Sequence, residues 1–532
     1  MKIDLLPNKV YEAKRQDFGL QRSGQRRAHS GGVCKPVAAK LQAKSRDFCP
    51  KNYSGASLII ALLLLLCRPA LAADIDWDAA YRETRAHLIN LINIKTAQPE
   101  GSEVAAARYI YCALNREGID WEIYKSASGR ANLVARLKGS GNGKPLLLMA
   151  HLDTVGADAA EWASDPFRAA ERGGAIYGRG AVDCKSLAAI NLSTLVWLKR
   201  SGIKLRRDVI MLASADEEAG GALGLRWMLD KHPGAIDCGF ALNEGGGMIL
   251  GADGSPRALY VDVGAKPCMK VVVSASGRPG HPAMPPRGQA IYSLSAALNR
   301  LKSGYRPQTR MTPLVRRLFE GIYPFQNQDG KTTLDMLFSE DPAARRQAED
   351  AIALDPFLDS QLRDTCSPVI LRAGDDGNVI PGHARAELDC RLLPDSDPEA
   401  ALSELKAAVG DAAEVSVKES PEKPFPKPMD MTDELYETIV RVSSAAMPTA
   451  VLAGGALSPA SDSEWLRRRG IITYGLCGPS TYGESSGVHG ADERISEAEL
   501  RQQLKLIYLV TAAFAGEAAP PQPPVPPPAA AR

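Results

Sequence analysis

Acidic and histidine side chains follow three short apolar runs of the sequence, at 145–150, 208–213 and 238–242. The residues that come after these runs are His151, Asp153, Asp216, Glu217, Glu218 and Glu244. Short apolar runs bounded by turn residues are typical of buried parallel strands, and ligands of open α/β sheets bind beyond the carboxyl ends of such strands. Carboxylates crowded at one edge need a cation to offset their repulsion. The pattern therefore predicts a metal site at this edge.

Two divalent cations about 3.5–4 Å apart can hold a hydrolytic transition state from both sides. Such a centre needs a bridging carboxylate, terminal histidine or carboxylate ligands and an open position for water. The candidate ligands are His151, Asp183, Glu218, Glu244 and His489. Asp183 is the candidate bridge, and Glu217, next to a ligand, can take a proton from the attacking water. Asp153 is placed to accept the other ring N–H of His151.

Helices and strands alternate around these runs in the first half of the chain. Periodicity predicts helices at 75–97, 102–117, 186–201 and 222–232, and strands at 120–124 and 132–137. This alternation predicts an α/β fold with helices on both faces of a sheet.

The pattern changes at about Lys266. Strands are predicted at 268–275, 369–371, 386–392 and 413–417, and helices at 290–302 and 397–409. This β-α-β-β-α-β order predicts a ferredoxin-like module, interrupted by a mainly helical insertion at 310–365. The predicted domains are 1–73 (n-region and signal peptide), 74–265 and 426–515 (two parts of a catalytic domain), 266–425 (the second module) and 516–532 (a Pro/Ala-rich tail).

Charge is unevenly distributed along the 532 residues. Residues 1–57 contain twelve Lys and Arg against four Asp and Glu, although the whole chain has a formal charge of only +2. The body is therefore acidic, which argues against nucleic-acid binding.

An apolar run of ten residues at 58–67 is followed by the Ala-Leu-Ala pattern at 70–72. The run is too short to span a bilayer comfortably, and basic residues precede it, so we predict a secretory signal peptide. An uncleaved anchor is the alternative. Export to the periplasm or the medium, with no stable membrane span after cleavage, is the expectation.

Five motifs carry a family resemblance over about 74–515. They are His151-Leu-Asp-Thr-Val, Gly178-Arg-Gly-Ala-Val-Asp183, Glu217-Glu218, Asn243-Glu244-Gly-Gly and Val488-His489-Gly-Ala-Asp-Glu-Arg. In type and order they resemble the di-zinc metallopeptidase family of glutamate carboxypeptidases, aminoacylases, carboxypeptidase S and succinyl-diaminopimelate desuccinylases. The resemblance implies a zinc-exopeptidase-like mixed sheet, in which the second module is an inserted lid that often dimerises.

The resemblance also implies a division of roles among the candidate residues. His151, Asp183 and Glu244 would hold one Zn²⁺, and Asp183, Glu218 and His489 the other, with Co²⁺ or Mn²⁺ as substitutes. Glu217 would serve as general base and acid.

The second module adds three candidate residues. Gly280-His281-Pro-Ala-Met-Pro285 resembles the family's Gly-His-Ser-Ser-x-Pro, which implies that His281 reaches the partner subunit's active site and steadies the developing oxyanion. Asn378 and Arg391 are implied to hold the substrate carboxylate, since a guanidinium group grips a carboxylate with paired hydrogen bonds. A surface ion pair is the alternative role for Arg391.

The sequence thus predicts an exported metal-dependent hydrolase that cleaves a peptide or amide bond next to a free carboxylate. Its expected partners are a small peptide or N-acyl amino acid and a second copy of itself, with no nucleic acid. Two alternatives stay open: an aminoacylase-like N-acyl-amino-acid amidohydrolase, and a catalytically silent binding protein on the same fold.

Overall fold

The three apolar runs form neighbouring strands of a large mixed sheet in the computed structural model, which describes residues 75–251, 253–459, 461–478 and 486–517. The strands of this sheet are β1 (Asp120–Ala127), β2 (Arg130–Leu137), β3 (Leu146–His151), β6 (Val209–Ser214), β7 (Phe240–Glu244), β8 (Gly247–Leu250), β9 (Pro256–Lys266), β14 (Val451–Pro459) and β15 (Ile472–Cys477). Their order is β1-β2-β6-β3-β7-β15-β9-β14, with β8 paired to β9. β3 runs parallel to both β6 and β7, so the predicted parallel core is confirmed.

Both faces of the central strands are buried. Leu146 and Leu148 of β3 belong to one hydrophobic cluster, and Leu147 and Met149 belong to another. Successive side chains of a strand point to opposite faces. The continuous apolar runs therefore reflect a sheet covered by helices on two sides.

The helices of the described ranges include a counterpart for each of the six with predicted bounds. They are α1 (Trp77–Ile92), α2 (Glu103–Arg116), α3 (Lys185–Ser201), α4 (Leu225–Lys231), α5 (Ala290–Gly304), α6 (Pro313–Ile322), α7 (Gln328–Phe338), α8 (Pro342–Ile352), α9 (Pro356–Leu362), α10 (Pro398–Val409), α11 (Glu434–Ala446), α12 (Ser463–Arg468) and α13 (Glu497–Ala515). α1 begins at Asp76, whose carboxylate accepts two main-chain N–H groups of the first turn. α3 ends at Gly202, whose φ of 66° is strained for any residue with a side chain.

A second, four-stranded antiparallel sheet follows the predicted β-α-β-β-α-β order. Its strands are β10 (Cys268–Ser276), β11 (Thr365–Ala373), β12 (His383–Arg391) and β13 (Glu414–Glu419), arranged β11-β12-β10-β13. α5 and α10 pack on one face of it and enclose a separate core. We call this unit of four strands and two helices the small module. A disulfide between Cys366 and Cys390 joins β11 to β12.

The helical insertion packs against the large sheet. Val315, Leu318 and Phe319 of α6 share a hydrophobic cluster with Tyr260 of β9 and Ala453 of β14. The insertion lies between α5 and β11 in sequence, yet it covers the β9–β14 edge of the large sheet.

Three short strands form a third sheet. They are β4 (Ala170–Arg172), β5 (Ala175–Tyr177) and β16 (Arg494–Ser496), in the order β16-β5-β4. No helix within the described ranges is long and apolar enough to cross a membrane. The predicted signal peptide, at 1–73, and most of the predicted tail, at 516–532, lie outside these ranges.

Candidate metal centre and active-site cleft

The candidate ligands predicted from sequence converge at the carboxyl edge of the large sheet. They are His151, Asp183, Glu218, Glu244 and His489. His151 and Glu244 are the last residues of β3 and β7, and Glu218 lies in a single 3-10 turn after β6. Because these strands are parallel, their carboxyl ends bring the three side chains to one place.

Asp183 lies between the two histidines. Its Oδ1 is 2.9 Å from Nε2 of His151, and its Oδ2 is 3.1 Å from Nε2 of His489. Glu244 Oε2 is 3.4 Å from Nε2 of His151, and Glu218 Oε2 is 3.2 Å from Nε2 of His489. Two sets of three side chains therefore meet, with Asp183 in both.

These donor atoms fit two divalent cations. Ligand atoms at 2.0–2.2 Å from a tetrahedral zinc ion lie roughly 3.4 Å from one another, close to the separations found here. Oε1 of Glu218 is buried and has no hydrogen-bond partner, and a bound cation would supply the missing partner. The sulfur of Cys184 also lies within reach of His151 and Glu244. Nitrogen, oxygen and sulfur donors suit zinc and its close substitutes better than Mg²⁺ or Ca²⁺.

Burial and mutual repulsion shift the pKa values of the clustered acids. Burial, reinforced by Glu244, raises the pKa of Glu217 well above the usual range of a glutamate. Burial likewise raises the pKa of Glu244. Although burial acts in the opposite direction, hydrogen bonds from His151 and His489 lower the pKa of Asp183. The raised pKa values of Glu217 and Glu244 favour their protonated forms while no cation is bound, and a bound cation would favour loss of those protons.

Asp153 lies next to His151 and contacts Nδ1 of its ring mainly through the main chain. The acceptor closest to Nδ1 of His151 is the main-chain oxygen of Asp153, at 2.9 Å, whereas its carboxylate is 3.6 Å away. A carbonyl oxygen only accepts, so Nδ1 carries the proton and Nε2 is free to bind a metal ion. The carboxylate instead accepts the main-chain N–H groups of Glu217 and Glu218, at 3.0 and 3.1 Å. Asp153 therefore holds the turn that carries the proposed base.

A buried ion-pair network supports the same turn from behind. Arg130 contacts Asp216 at 2.7 Å and Glu103 at 3.0 Å, and all three are buried. Asp216 has a φ of 65°, a costly backbone conformation for a residue with a side chain. Its carboxylate also accepts the main-chain N–H of Leu223. These contacts hold the strained residue that immediately precedes Glu217.

Glu493 ties the two ligand loops together. Its Oε1 accepts the main-chain N–H groups of Val182 and Asp183, at 2.8 and 3.0 Å. Its Oε2 accepts the N–H of Gly180 at 2.9 Å and pairs with Arg179 at 2.7 Å. Glu493 is completely buried and lies four residues after the candidate ligand His489. One carboxylate therefore fixes the loop of Asp183, the candidate bridge, relative to the loop of His489.

A cleft of about 1050 Å³ opens over this centre between the large sheet and the small module. Asp183, Glu217 and His489 lie on the catalytic side, and Lys270 and Arg391 line the side of the small module. The cleft is large enough for a small peptide or an N-acyl amino acid.

Arg391, one of the predicted carboxylate ligands, lies in this cleft. Its guanidinium group already contacts Asp389 through Nε at 2.6 Å and Nη2 at 3.1 Å. This pairing orients the side chain but offsets its charge, so a substrate carboxylate would share the cation with Asp389.

His281 and Asn378 do not line the cleft of their own chain. Both are exposed, and the backbone bridge between Gly280 and Ile380 holds their loops side by side on the small module. Nδ1 of His281 accepts the N–H of Ala283. The two loops therefore lie side by side on the small module and outside the cleft that contains the candidate metal ligands.

Several residues of the site were not among the predicted ones. Asp462, just before α12, lines the cleft, and burial, reinforced by Glu244, raises its pKa to about 8. Arg179 and Glu493 stand inside the recognised Gly-Arg-Gly and Asp-Glu-Arg motifs, so their sequence signal was present without an assigned role. Asp462 has no such signal, because its segment joins the site only through the packing of α12.

Comparison with known proteins identifies the family. The model of Peptidase family M20/M25/M40 matches residues 147–512. The chain belongs to this peptidase family. It is therefore a metal-dependent hydrolase, which confirms the predicted resemblance and the prediction of an enzyme.

Two relatives illustrate the range of the family. The chain is 27% identical to N-fatty-acyl-amino acid synthase/hydrolase PM20D1 of Mus musculus, over 69% of this chain and 73% of that protein. It is 24% identical to a probable succinyl-diaminopimelate desuccinylase of Staphylococcus epidermidis, over 79% of this chain and 94% of that protein.

Solved structures of the family share the fold. A metallo-carboxypeptidase, Sso-CP2 from Sulfolobus solfataricus, superposes with a TM-score of 0.60 at 18% identity, over 81% of this chain and 99% of that chain. Human carnosine dipeptidase 1 gives a TM-score of 0.60 at 15% identity, over 82% and 97%. The predicted mixed sheet flanked by helices is confirmed.

Proposed function

We propose that this chain is an exported di-zinc amidohydrolase that cleaves a peptide or N-acyl bond next to a free carboxylate. The observation that carries the proposal is the position of Asp183, whose two oxygens face two different histidines, with Glu217 beside them. His151 and Glu244 complete one metal site.

The second proposed metal site consists of Asp183, Glu218 and His489. Two bound cations would polarise the scissile carbonyl and lower the pKa of a water molecule. Co²⁺ or Mn²⁺ would substitute for zinc in the same donor sets.

Glu217 is the proposed proton carrier. Its carboxylate takes the proton of the attacking water and returns it to the leaving nitrogen, which is the role of a general base and then a general acid. Asp153 and Asp216 hold the Glu217 turn in place, so the base does not need to reorganise during the reaction.

The small module provides the proposed substrate contacts. Arg391 faces the cleft and would bind the free carboxylate. Asn378 would add an amide donor, and His281 would steady the oxyanion. Because the last two residues lie outside the cleft of their own chain, we propose that they act in the partner subunit of a homodimer. The exposed edge strand β11, with Val369 and Leu371 in contact with solvent, offers a dimerisation surface.

Carboxypeptidase-like action on peptides is the first candidate, because a cleft lined by several charged residues suits a polar substrate. An N-acyl-amino-acid amidohydrolase is the second candidate, and the similarity to the N-fatty-acyl-amino acid synthase/hydrolase of mouse supports it. The disulfide of the small module supports export, since such bonds persist in oxidising compartments.

The test is an activity screen of the zinc-loaded protein. Dipeptides and N-acyl amino acids are supplied together with the same compounds carrying an amide in place of the free carboxylate. We expect hydrolysis of the carboxylates and little turnover of the amides. Equal rates for both forms would contradict recognition of the carboxylate, and the products distinguish the two candidates.

A further inference from the structure

A positively charged side chain on the catalytic wall of the cleft has no acidic partner. Arg226, in α4, is half-buried and lines the cleft. Its guanidinium carbon lies 4.3 Å from the ring centroid of Trp465, which also lines the cleft. The hydrogen bond found for this side chain is a long contact of 3.5 Å to the main-chain oxygen of Gly220. Among the described residues, no carboxylate lies within ion-pair distance of it.

Two other arginines of the cleft already have an acidic partner. Arg391 is paired with Asp389 through two contacts. Arg468 donates to Glu464 at 2.7 Å and to the main-chain oxygens of Glu422 and Pro424. Both have structural partners, whereas the donors of Arg226 are left for a ligand.

Lys270 is the other cation of the cleft without an ion pair in the described part of the chain. It lies on β10 of the small module, opposite Asp389 in the strand register. It therefore belongs to the same wall as Arg391, where the proposed function places the substrate carboxylate. Arg226 lies on the other wall.

Arg226 also lies near Asp462, another residue that lines the cleft. A side-chain carbon on Gly221 would lie 2.9 Å from Asp462 Oδ1 and 3.7 Å from Cγ of Arg226. Arg226 and the buried Asp462 therefore both border Gly221 in the same cleft. Glu419 and Glu422 also line the cleft, but both are exposed, so water and salt screen their charge.

We infer that Arg226, supported by Trp465, is an anion subsite for the acyl side of the substrate. A guanidinium group lying on an aromatic ring keeps its N–H edges free for a planar carboxylate. If the small module holds the carboxylate next to the leaving nitrogen, the acyl group extends toward the opposite wall and Arg226. The preferred substrate is therefore a diacid: an amino acid whose acyl group itself ends in a carboxylate. This inference rests on the proposed function.

Binding to a protein that cannot turn the substrate over tests the subsite directly. The full-length, zinc-loaded Glu217→Gln protein is titrated by calorimetry with N-succinyl-, N-glutaryl- and N-adipylalanine. Each is compared with the N-acylalanine of equal chain length that ends in a methyl group. We expect the best diacid to bind about 10-fold to 100-fold more tightly than its neutral counterpart, as a hydrogen bond to a charged group allows.

The added change Arg226→Gln should bring that ratio close to one, and Arg226→Lys should retain part of it. Lys231→Gln is the matched control, since it removes an exposed positive charge from the same helix and should leave the ratio unchanged. An equal ratio with and without Arg226, or no binding of any diacid, would overturn the subsite. Turnover by the wild-type protein reports separately on the proposed function, because loss of the subsite alone leaves hydrolysis of the neutral compounds intact.

Discussion

Glu217 combines an unusual pKa with a rigid position. Burial raises its pKa, and its main-chain N–H is held by Asp153 at 3.0 Å. Glu218, next in sequence, contacts a histidine. Glu217 and Glu218 therefore have different surroundings, and substituting one at a time can distinguish their roles.

Glu217→Gln should retain both metal ions and lose turnover. The amide cannot accept a proton from water, so we expect kcat to fall by about 100-fold to 10,000-fold, with metal content measured by elemental analysis unchanged. Glu404→Gln, which removes an exposed carboxylate from α10, is the control. A Glu217→Gln protein with near-normal turnover would show that another group moves the proton.

A buried histidine far from the ligands should make stability depend on pH. Burial lowers the pKa of His87 to about 4, and the ring contacts the Tyr109 hydroxyl at 2.8 Å. In the unfolded chain His87 binds a proton below about pH 6.5, whereas in the folded chain it binds one only below about pH 4. The folded state therefore loses up to about 3 kcal/mol as the pH falls through this window.

The measurement is urea unfolding at several pH values, compared with His87→Gln. The variant should show a smaller loss of unfolding free energy between pH 6.5 and pH 4. Parallel curves for the two proteins would mean that His87 does not carry this pH dependence.

At the scale of elements, the metal centre depends on loops joined by a single carboxylate. Both oxygens of Glu493 accept hydrogen bonds, two of them from Val182 and Asp183. Glu493→Gln replaces one oxygen by an NH₂ group, which sets donor against donor in a buried position. The loop that carries the bridging aspartate should then lose its position.

We expect Glu493→Gln to weaken zinc binding by about 10-fold to 100-fold, with activity partly restored by added zinc. Competition with a chelator measures the affinity, and Glu497→Gln, an exposed residue of the same segment, is the control. An unchanged zinc affinity would assign Glu493 to folding alone.

At the scale of the whole molecule, the location of His281 makes the proposed dimer testable. If each active site takes Glu217 from one subunit and His281 from the other, neither single variant forms a complete site. Mixed dimers of Glu217→Gln and His281→Ala contain one intact site, so random exchange should restore about a quarter of the wild-type activity.

Subunits are mixed, exchanged by dilution and reconcentration, and assayed against each variant alone. Light scattering reports the oligomeric state. A monomeric wild-type protein with full activity, or no recovery in mixed dimers, would contradict a shared site.

Local sequence predicted the elements well because their signals are local. The apolar runs before His151 and Glu244 have no polar face to expose to water. Both faces must be buried, which places these runs in the centre of the sheet. Helix boundaries at Gly202 and Asp76 follow from capping chemistry within one turn of chain. The candidate ligands could also be chosen from the sequence, because metal chemistry restricts which side chains can bind a cation.

Contacts between distant segments were decided only by the tertiary structure. Asp462 and Arg226 enter the cleft because α12 and α4 pack beside it, and no periodicity in either segment signals this. The insertion covers β14 although its neighbours in sequence form the small module. The sequence determined which residues are capable of the chemistry. The tertiary structure determined which acids lie close together, which cations have no acidic partner, and that Glu493 holds the loop of Asp183. Burial and charge compensation depend on residues that are hundreds of positions apart in sequence.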